Sequence, residues 1–142
     1  MIRHAEAKWN GSLKEGHGHL KVETGALDSD YSFKSRFEGG GQTNPEELLA
    51  ASHAGCFSMA LSAMLGSAGH EPKSIDTKAA VHLNQVSGSW AINKIDLETT
   101  ADVPGLDDSG FQKIAHDAKA NCPISKALAS VDIQLKATLV GA

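Results

Sequence analysis

Residues 48–65 form the most apolar stretch of the chain and carry no Asp, Glu, Lys or Arg. A membrane-spanning helix needs about 20 predominantly apolar residues. Here Ser52, His53, Gly55, Ser58 and Ser62 dilute the run, and much of the remainder is Ala. The stretch therefore predicts a helix buried inside a globular protein rather than a membrane span. Just upstream, Asn44-Pro45-Glu46-Glu47 is a helix start: Asn is a favoured cap, Pro suits the first helical position, and carboxylates suit the first turn. Gly66-Ser67-Ala68-Gly69 predicts a stop near Leu65. Apolar nearly all round, the helix is expected to be central and covered on most sides.

The elements around it follow from periodicity and breakers. Short strands are expected around residues 5–9 and 20–23, with turns near 16–18 and 28–30. Tyr31, Phe33, Ser35 and Phe37 alternate with Ser32, Lys34, Arg36 and Glu38, the period of a half-buried strand, which Gly39-Gly40-Gly41 ends. Residues 75–86 and 90–103 read as a hairpin across Ser87-Gly88-Ser89. Asp107 or Asp108 caps a helix with Phe111, Ile114, Ala115 and Ala118 at the 3.6 period, and a short helix follows Asn121-Cys122-Pro123. A last strand places Val131, Ile133, Leu135, Ala137 and Leu139 on one face. The expected class is α+β, with mostly antiparallel sheet around a long central helix, in a single domain over residues 1–142.

Composition narrows the function. The net charge is −4 and the 13 Lys and Arg are scattered, unlike the clustered basic face of a nucleic-acid binder. Residues 1–11 are charged and polar where a signal peptide needs an apolar run. The expectation is a cytoplasmic protein with no membrane and no nucleic-acid partner. In the cytoplasm two cysteines are not expected to form a static staple.

Thiol redox chemistry needs a thiolate nucleophile to attack an O–O bond, and free Cys, with a pKa of about 8.5, ionises at neutral pH only beside a cation or a helix N-terminus. A second thiol must then condense with the sulfenic acid before over-oxidation. Cys56 lies in the middle of the long helix among Ser52, Ala54, Gly55 and Ala60, small residues that let another element approach. A small apolar core residue accounts for Cys56 equally well. Pro123 puts Cys122 at or beside a helix cap, where the helix dipole favours a thiolate; a chance cysteine at a turn is the plain alternative. There is no Cys-x-x-Cys pair, so a zinc site would need ligands from distant parts of the chain.

With Asn44 as cap, Glu47 reaches back as a capping box and Glu46 is left to pair with a cation; with Thr43 as cap the roles exchange. Glu46 precedes Cys56 by ten residues, about 15 Å along a helix. If both serve one site, Glu46 is expected from the second subunit of a homodimer. His53, three residues before Cys56, permits a Cys/His nucleophile pair, though a core histidine is the commoner reading. His17-Gly18-His19 has metal-binding residue types, yet two such histidines on a loop are more often exposed and idle, and no metal site is expected there. Gly39-Gly40-Gly41 lacks the Gly-Lys-Ser/Thr ending of a phosphate loop and is rejected as a nucleotide site.

The segments Arg36-Phe37-Glu38-Gly39, Thr43-Asn44-Pro45-Glu46-Glu47-Leu48, Ala51-Ser52-His53-Ala54-Gly55-Cys56-Phe57-Ser58-Met59-Ala60-Leu61, Ser74-Ile75-Asp76 and Asn121-Cys122-Pro123-Ile124-Ser125 resemble the OsmC/Ohr family of hydroperoxide reductases, its OsmC branch in particular. The resemblance runs over essentially the whole chain. It implies an intertwined α+β homodimer with two interfacial active sites. It further implies Cys56 as peroxidatic, Cys122 as resolving, Arg36 as the activating cation and Glu46 as its salt-bridge partner. Organic hydroperoxides would be the substrates, with hydrogen peroxide also open, an external dithiol the reductant, and neither cofactor nor metal is implied. Phe57 and Met59 are the apolar neighbours expected to favour organic substrates. Two rivals stand beside this reading, a Cys56/His53 hydrolase and an apolar-ligand binding protein.

Overall fold

The computed structural model describes residues 1–141, and they divide into two compact units, the first Met1–Leu48 and the second beginning at Leu49. In the first, β1 (Ala5–Asn10), β2 (His17–Val22) and β3 (Asp28–Tyr31) form an antiparallel sheet in sequence order. Two expected turns are strands instead: His17-Gly18-His19 opens β2, and Asp28 to Asp30 lie in β3. Trp9 and Tyr31 meet at a 5.4 Å centroid distance. A Cβ on Gly18 would overlap both rings, so the glycine between them marks close packing rather than a turn.

The alternation over residues 31–37 is also not a strand. Phe33–Phe37 is a helix, α1. Ser32 caps it and Ser35 returns the bond to the Ser32 N–H, a reciprocal box that fixes the turn. The Phe33 and Phe37 rings, one helical turn apart, pack at 4.8 Å. Ser35 Oγ donates to the Thr43 carbonyl at 2.8 Å, and Tyr31 bridges to Thr43, which fastens α1 to the start of the next helix.

That helix, α2 (Pro45–Ser67), starts in the first unit and continues in the second. Asn44 is its cap, its Oδ1 accepting from the Glu47 N–H at 2.8 Å. The reverse bond of a capping box is not made. The Glu47 carboxylate takes the Thr43 hydroxyl at 2.7 Å instead.

In the second unit, β4 (Ser74–Val86) and β5 (Ser89–Asp102) form the expected hairpin, turning on Ser87 and Gly88, both at positive φ. Asp107 caps α3 (Asp108–Asn121) through the Gly110 N–H, then α4 (Pro123–Ala127) leads to β6 (Asp132–Val140). β6 pairs parallel to β5, whereas the other strand pairings of the two three-stranded sheets among the described residues are antiparallel. The buried core joins Phe57, Leu61 and Leu65 of α2 to Ile95, Leu97 and Phe111. Each such side chain contributes about 2–3 kcal/mol by leaving water.

α2 is long and apolar enough to cross a membrane, yet His53, Phe57, Leu61 and Leu65 are wholly buried at spacings of four, one stripe packed into the core. The expectation of cover on most sides fails. Ala51, Ser52, Gly55, Met59, Ser62 and Ala63 are exposed on another face, Met59 at 76%. A helix apolar all round whose chain covers one face has a second face for which the chain supplies no packing.

Candidate active site

The first unit holds a fixed cation. α1 carries Arg36 and the first turn of α2 carries Glu46, which is buried. Nη2 and Nε of Arg36 reach Oε1 at 2.7 and 3.0 Å, and Nε lies 3.3 Å from Oε2. Such a fork-on-carboxylate contact sets the plane of the guanidinium as well as its position. Its carbon lies 5.4 Å from the centroid of the Phe37 ring. Arg36 therefore does not share a strand's polar face with Lys34 and Glu38, which was the expectation. The Asn44 register, with Glu46 free to pair, is the one adopted.

Beside Arg36 is a cavity of about 410 Å³ lined by Trp9, Leu13, Tyr31, Phe33 and Phe37. Four of the chain's seven aromatic residues are gathered there. Reading residues 31–37 as a strand obscured this, because it placed Phe33 and Phe37 on an inner face; the scarcity of aromatics elsewhere was the available signal.

The second unit holds the thiols. Cys56 is half-buried on α2 and Cys122 is fully buried. Their sulfurs are 3.0 Å apart, both reduced. Cys122 closes α3 and opens α4: its N–H donates to the Ala118 carbonyl and its own carbonyl accepts from Lys126. The predicted capping position is thus observed. α4 is only one turn long, and Cys122 Sγ makes no formal cap bond.

Burial pushes the Cys122 thiol up, but Cys56, the N–H and hydroxyl of Ser125 and the N–H of Ile124 outweigh it and leave the thiol below its ordinary value. Cys56 goes the other way. Burial, then the Cys122 contact, raise it, against one helpful Ile124 N–H. Only one of two thiols at 3.0 Å ionises readily. Within one chain's second unit the lowering contacts gather on Cys122 while burial raises Cys56, so ionising Cys56 calls for an added positive charge.

His53, one turn before Cys56, is not committed to it. Its Nε2 lies 2.8 Å from Ser125 Oγ, and Nδ1 has no partner among the described residues. Burial lowers its pKa, so the ring is neutral at pH 7. Ser125 was not singled out from the sequence, although it stands three residues past Cys122 behind Pro123, where a hydroxyl can turn back toward the helix start. Phe57 is wholly buried in the core and Met59 is on the exposed face. Neither lines the aromatic cavity of the first unit. Among the described residues no three His, Cys, Asp or Glu side chains form a metal-binding group, His17 and His19 included.

A half-buried and a buried thiol, both reduced and with sulfurs 3.0 Å apart, have the arrangement a cysteine redox centre requires. The family model for OsmC-like proteins matches residues 38–136, and the chain belongs to the OsmC family. It is 51% identical to Peroxiredoxin OsmC of Escherichia coli over 135 residues, which is 92% of this chain and 94% of the relative. It is 31% identical to the organic hydroperoxide resistance protein OhrB of Bacillus subtilis over 122 residues, covering 84% of this chain and 88% of that one. The crystal structure of OhrB superposes with a TM-score of 0.69 at 26% identity, covering 96% of this chain and 98% of the other.

Proposed function

We propose that this protein is a thiol-dependent peroxidase that reduces organic hydroperoxides, with Cys56 the peroxidatic and Cys122 the resolving residue. The 3.0 Å separation of the two sulfurs carries the reading. The names borne by the relatives, a peroxiredoxin and an organic hydroperoxide resistance protein, support the same chemistry. In the cycle, the Cys56 thiolate attacks the distal peroxide oxygen; the O–O bond breaks and alkoxide leaves, to be protonated as alcohol. Cys122 then displaces hydroxide from the sulfenic acid. Closing to a bonded distance of about 2.05 Å requires the sulfurs to approach by about 1 Å. An external dithiol reduces the disulfide by exchange.

The cation that ionises Cys56 is Arg36, held by Glu46. Ten residues along α2 separate Glu46 from Cys56, about 15 Å. The pair is accordingly supplied by the partner subunit of a homodimer, and the uncovered face of α2 supports that assembly. In this reading the two compact units act as one domain, in the cytoplasm. The aromatic cavity beside Arg36 takes the organic substituent, and at about 410 Å³ its volume lies in the usual range for small-ligand sites. His53 bonds Ser125, which favours neither a hydrolase nor a simple carrier.

The test is consumption of tert-butyl hydroperoxide by wild type, Cys56→Ser and Cys122→Ser under a dithiol reductant. Cys56→Ser should be inactive, and Cys122→Ser should reduce one equivalent and then over-oxidise. Equal rates in wild type and Cys56→Ser would refute the assignment.

A further inference from the structure

His53 is the one wholly buried ionisable residue apart from Cys122 among the described residues, and the peroxidase cycle above gives it no task. It is not idle packing. Its Nε2 is 2.8 Å from the hydroxyl of Ser125, 72 residues away in sequence, and Ser125 stands in the single turn of α4 three residues after Cys122, the cap of that helix, where its hydroxyl lowers the Cys122 pKa. The His53–Ser125 pair thus adjoins the helix turn that carries Cys122, whose sulfur is 3.0 Å from that of Cys56.

The direction of the bonds follows from the orphaned atom. Nδ1 has no partner among the described residues and is sealed from water. Were Nδ1 protonated, a donor would be stranded, and stranded buried N–H groups are rarer than stranded acceptors. With the proton on Nε2, the ring donates to Ser125 Oγ. The Ser125 hydroxyl then has its acceptor role filled and turns its proton to Cys122. Burial keeps the ring neutral, the form in which this tautomer exists.

Building on the peroxidase reading, we propose that His53 is a positioning residue for the resolving step: it orients the Ser125 hydroxyl as a donor to Cys122, stabilising the Cys122 thiolate that attacks the Cys56 sulfenic acid. In that step the S–S bond forms as the S–O bond of Cys56 breaks. Hydroxide leaves with the S–O electron pair and takes up the proton that Cys122 gave up. One water is released, Cys122 is oxidised, the sulfenic sulfur is reduced, and no further oxidant is needed. The other groups acting on Cys122 are Cys56 and the N–H groups of Ile124 and Ser125. Lys119 and Lys126 share a surface cavity with Ser125.

The experiment uses the full chain, reduced, then mixed with one equivalent of tert-butyl hydroperoxide. Sulfenic acid is trapped with dimedone, and disulfide is quantified by mass spectrometry over time between pH 5 and 9. His53→Ala and Ser125→Ala should each slow disulfide closure about tenfold relative to sulfenate formation and move the pH midpoint of closure upward by about one unit. His53→Gln, whose amide N–H can still donate to Ser125, should recover most of the loss and exclude a folding defect. Closure ratio and pH midpoint equal to wild type in both alanine variants would overturn the proposal. So would both half-reactions slowing in parallel, the mark of a merely structural pair. If wild type forms neither sulfenate nor disulfide, the peroxidase reading falls and this inference with it.

Discussion

Arg36 and Glu46 are joined by a fork, with Nη2 2.7 Å and Nε 3.0 Å from the same carboxylate oxygen. The two are unequally exposed: the Arg36 side chain is 38% open and that of Glu46 10%. Glu46 is the buried anchor and Arg36 the part that faces outward.

That asymmetry makes two substitutions distinguishable. Arg36→Lys retains the charge but loses the planar fork; Glu46→Gln retains the shape but loses the anchor's charge. Each should lower kcat/KM for tert-butyl hydroperoxide about 10- to 100-fold, equivalent to about 1.4–2.7 kcal/mol of transition-state stabilisation. Arg36→Ala should additionally destabilise the fold by about 1–3 kcal/mol, because it leaves the Glu46 carboxylate without its partner. Steady-state kinetics and urea unfolding read the two effects separately. Wild-type kcat/KM in Glu46→Gln would remove Glu46 from the mechanism.

The legible part of the fold was where one local rule acted alone. From Ile95 to Val103 the alternation is unbroken, and Ile95, Leu97, Thr99, Ala101 and Val103 are all buried. Asn44, Pro45 and Glu47 marked the start of α2, and Asp107 that of α3. Residues 31–37 misled because two rules fitted the same letters. Their alternation matches a strand, but Ser32 and Ser35 cap reciprocally and Phe33 and Phe37 are also one helical turn apart. Gly18 was read as a turn because the two rings it packs under, Trp9 and Tyr31, are distant in sequence. At the site, both cysteines, Arg36 and Glu46 were named in advance, the arginine only through the family resemblance. Ser125 and the aromatic cavity needed tertiary structure, since their partners lie far along the chain.

The aromatic cavity predicts a substrate preference. Leu13 lines it and is 61% exposed, so truncating it disturbs little else. Leu13→Ser should lower kcat/KM for cumene hydroperoxide about fivefold, near 1 kcal/mol of lost apolar contact. With hydrogen peroxide, which has no carbon substituent, the change should stay within about twofold. Equal losses on both substrates would place the organic group elsewhere.

His19 predicts a pH-dependent contribution to the first unit. Its Nδ1 is 2.7 Å from Asp30, and its Nε2 is in close contact with Asp28 on the neighbouring strand. Asp30 first, then Asp28, raise the imidazole pKa above its ordinary value. Lys8 stands opposite His19 on β1, and Lys21 stands opposite Asp28. Because the folded pKa lies above the unfolded one, this contribution is complete below about pH 6.5 and is lost as pH rises through the folded value. His19→Gln should therefore flatten the decline of thermal midpoint from about pH 6.5 upward, while differing most from wild type below it. The His19 side chain is exposed, so the effect should also shrink in high salt. A wild-type midpoint that rises through this range relative to His19→Gln would refute the sign.

Gly55 separates the single chain from the proposed homodimer. It sits on the exposed face of α2 between Ala51 and Met59, and a Cβ added there would meet nothing within 4 Å. Within one subunit, Gly55→Ala should be harmless or stabilising, since Ala is favoured over Gly inside a helix by about 1 kcal/mol. The same reasoning allows Gly55→Leu, whose larger side chain would extend into solvent. If this face instead packs against a second copy, Gly55→Leu drives a branched side chain into a closely packed seam, at about 1–3 kcal/mol or more per copy. Sedimentation at micromolar concentration should then show dimer for wild type and a shift toward monomer for Gly55→Leu. Peroxidase activity should fall in step with the dimer fraction, because Arg36 of the partner subunit would be withdrawn from Cys56. A monomeric Gly55→Leu variant with full activity would overturn the sharing of the site between subunits while leaving the two cysteines in place.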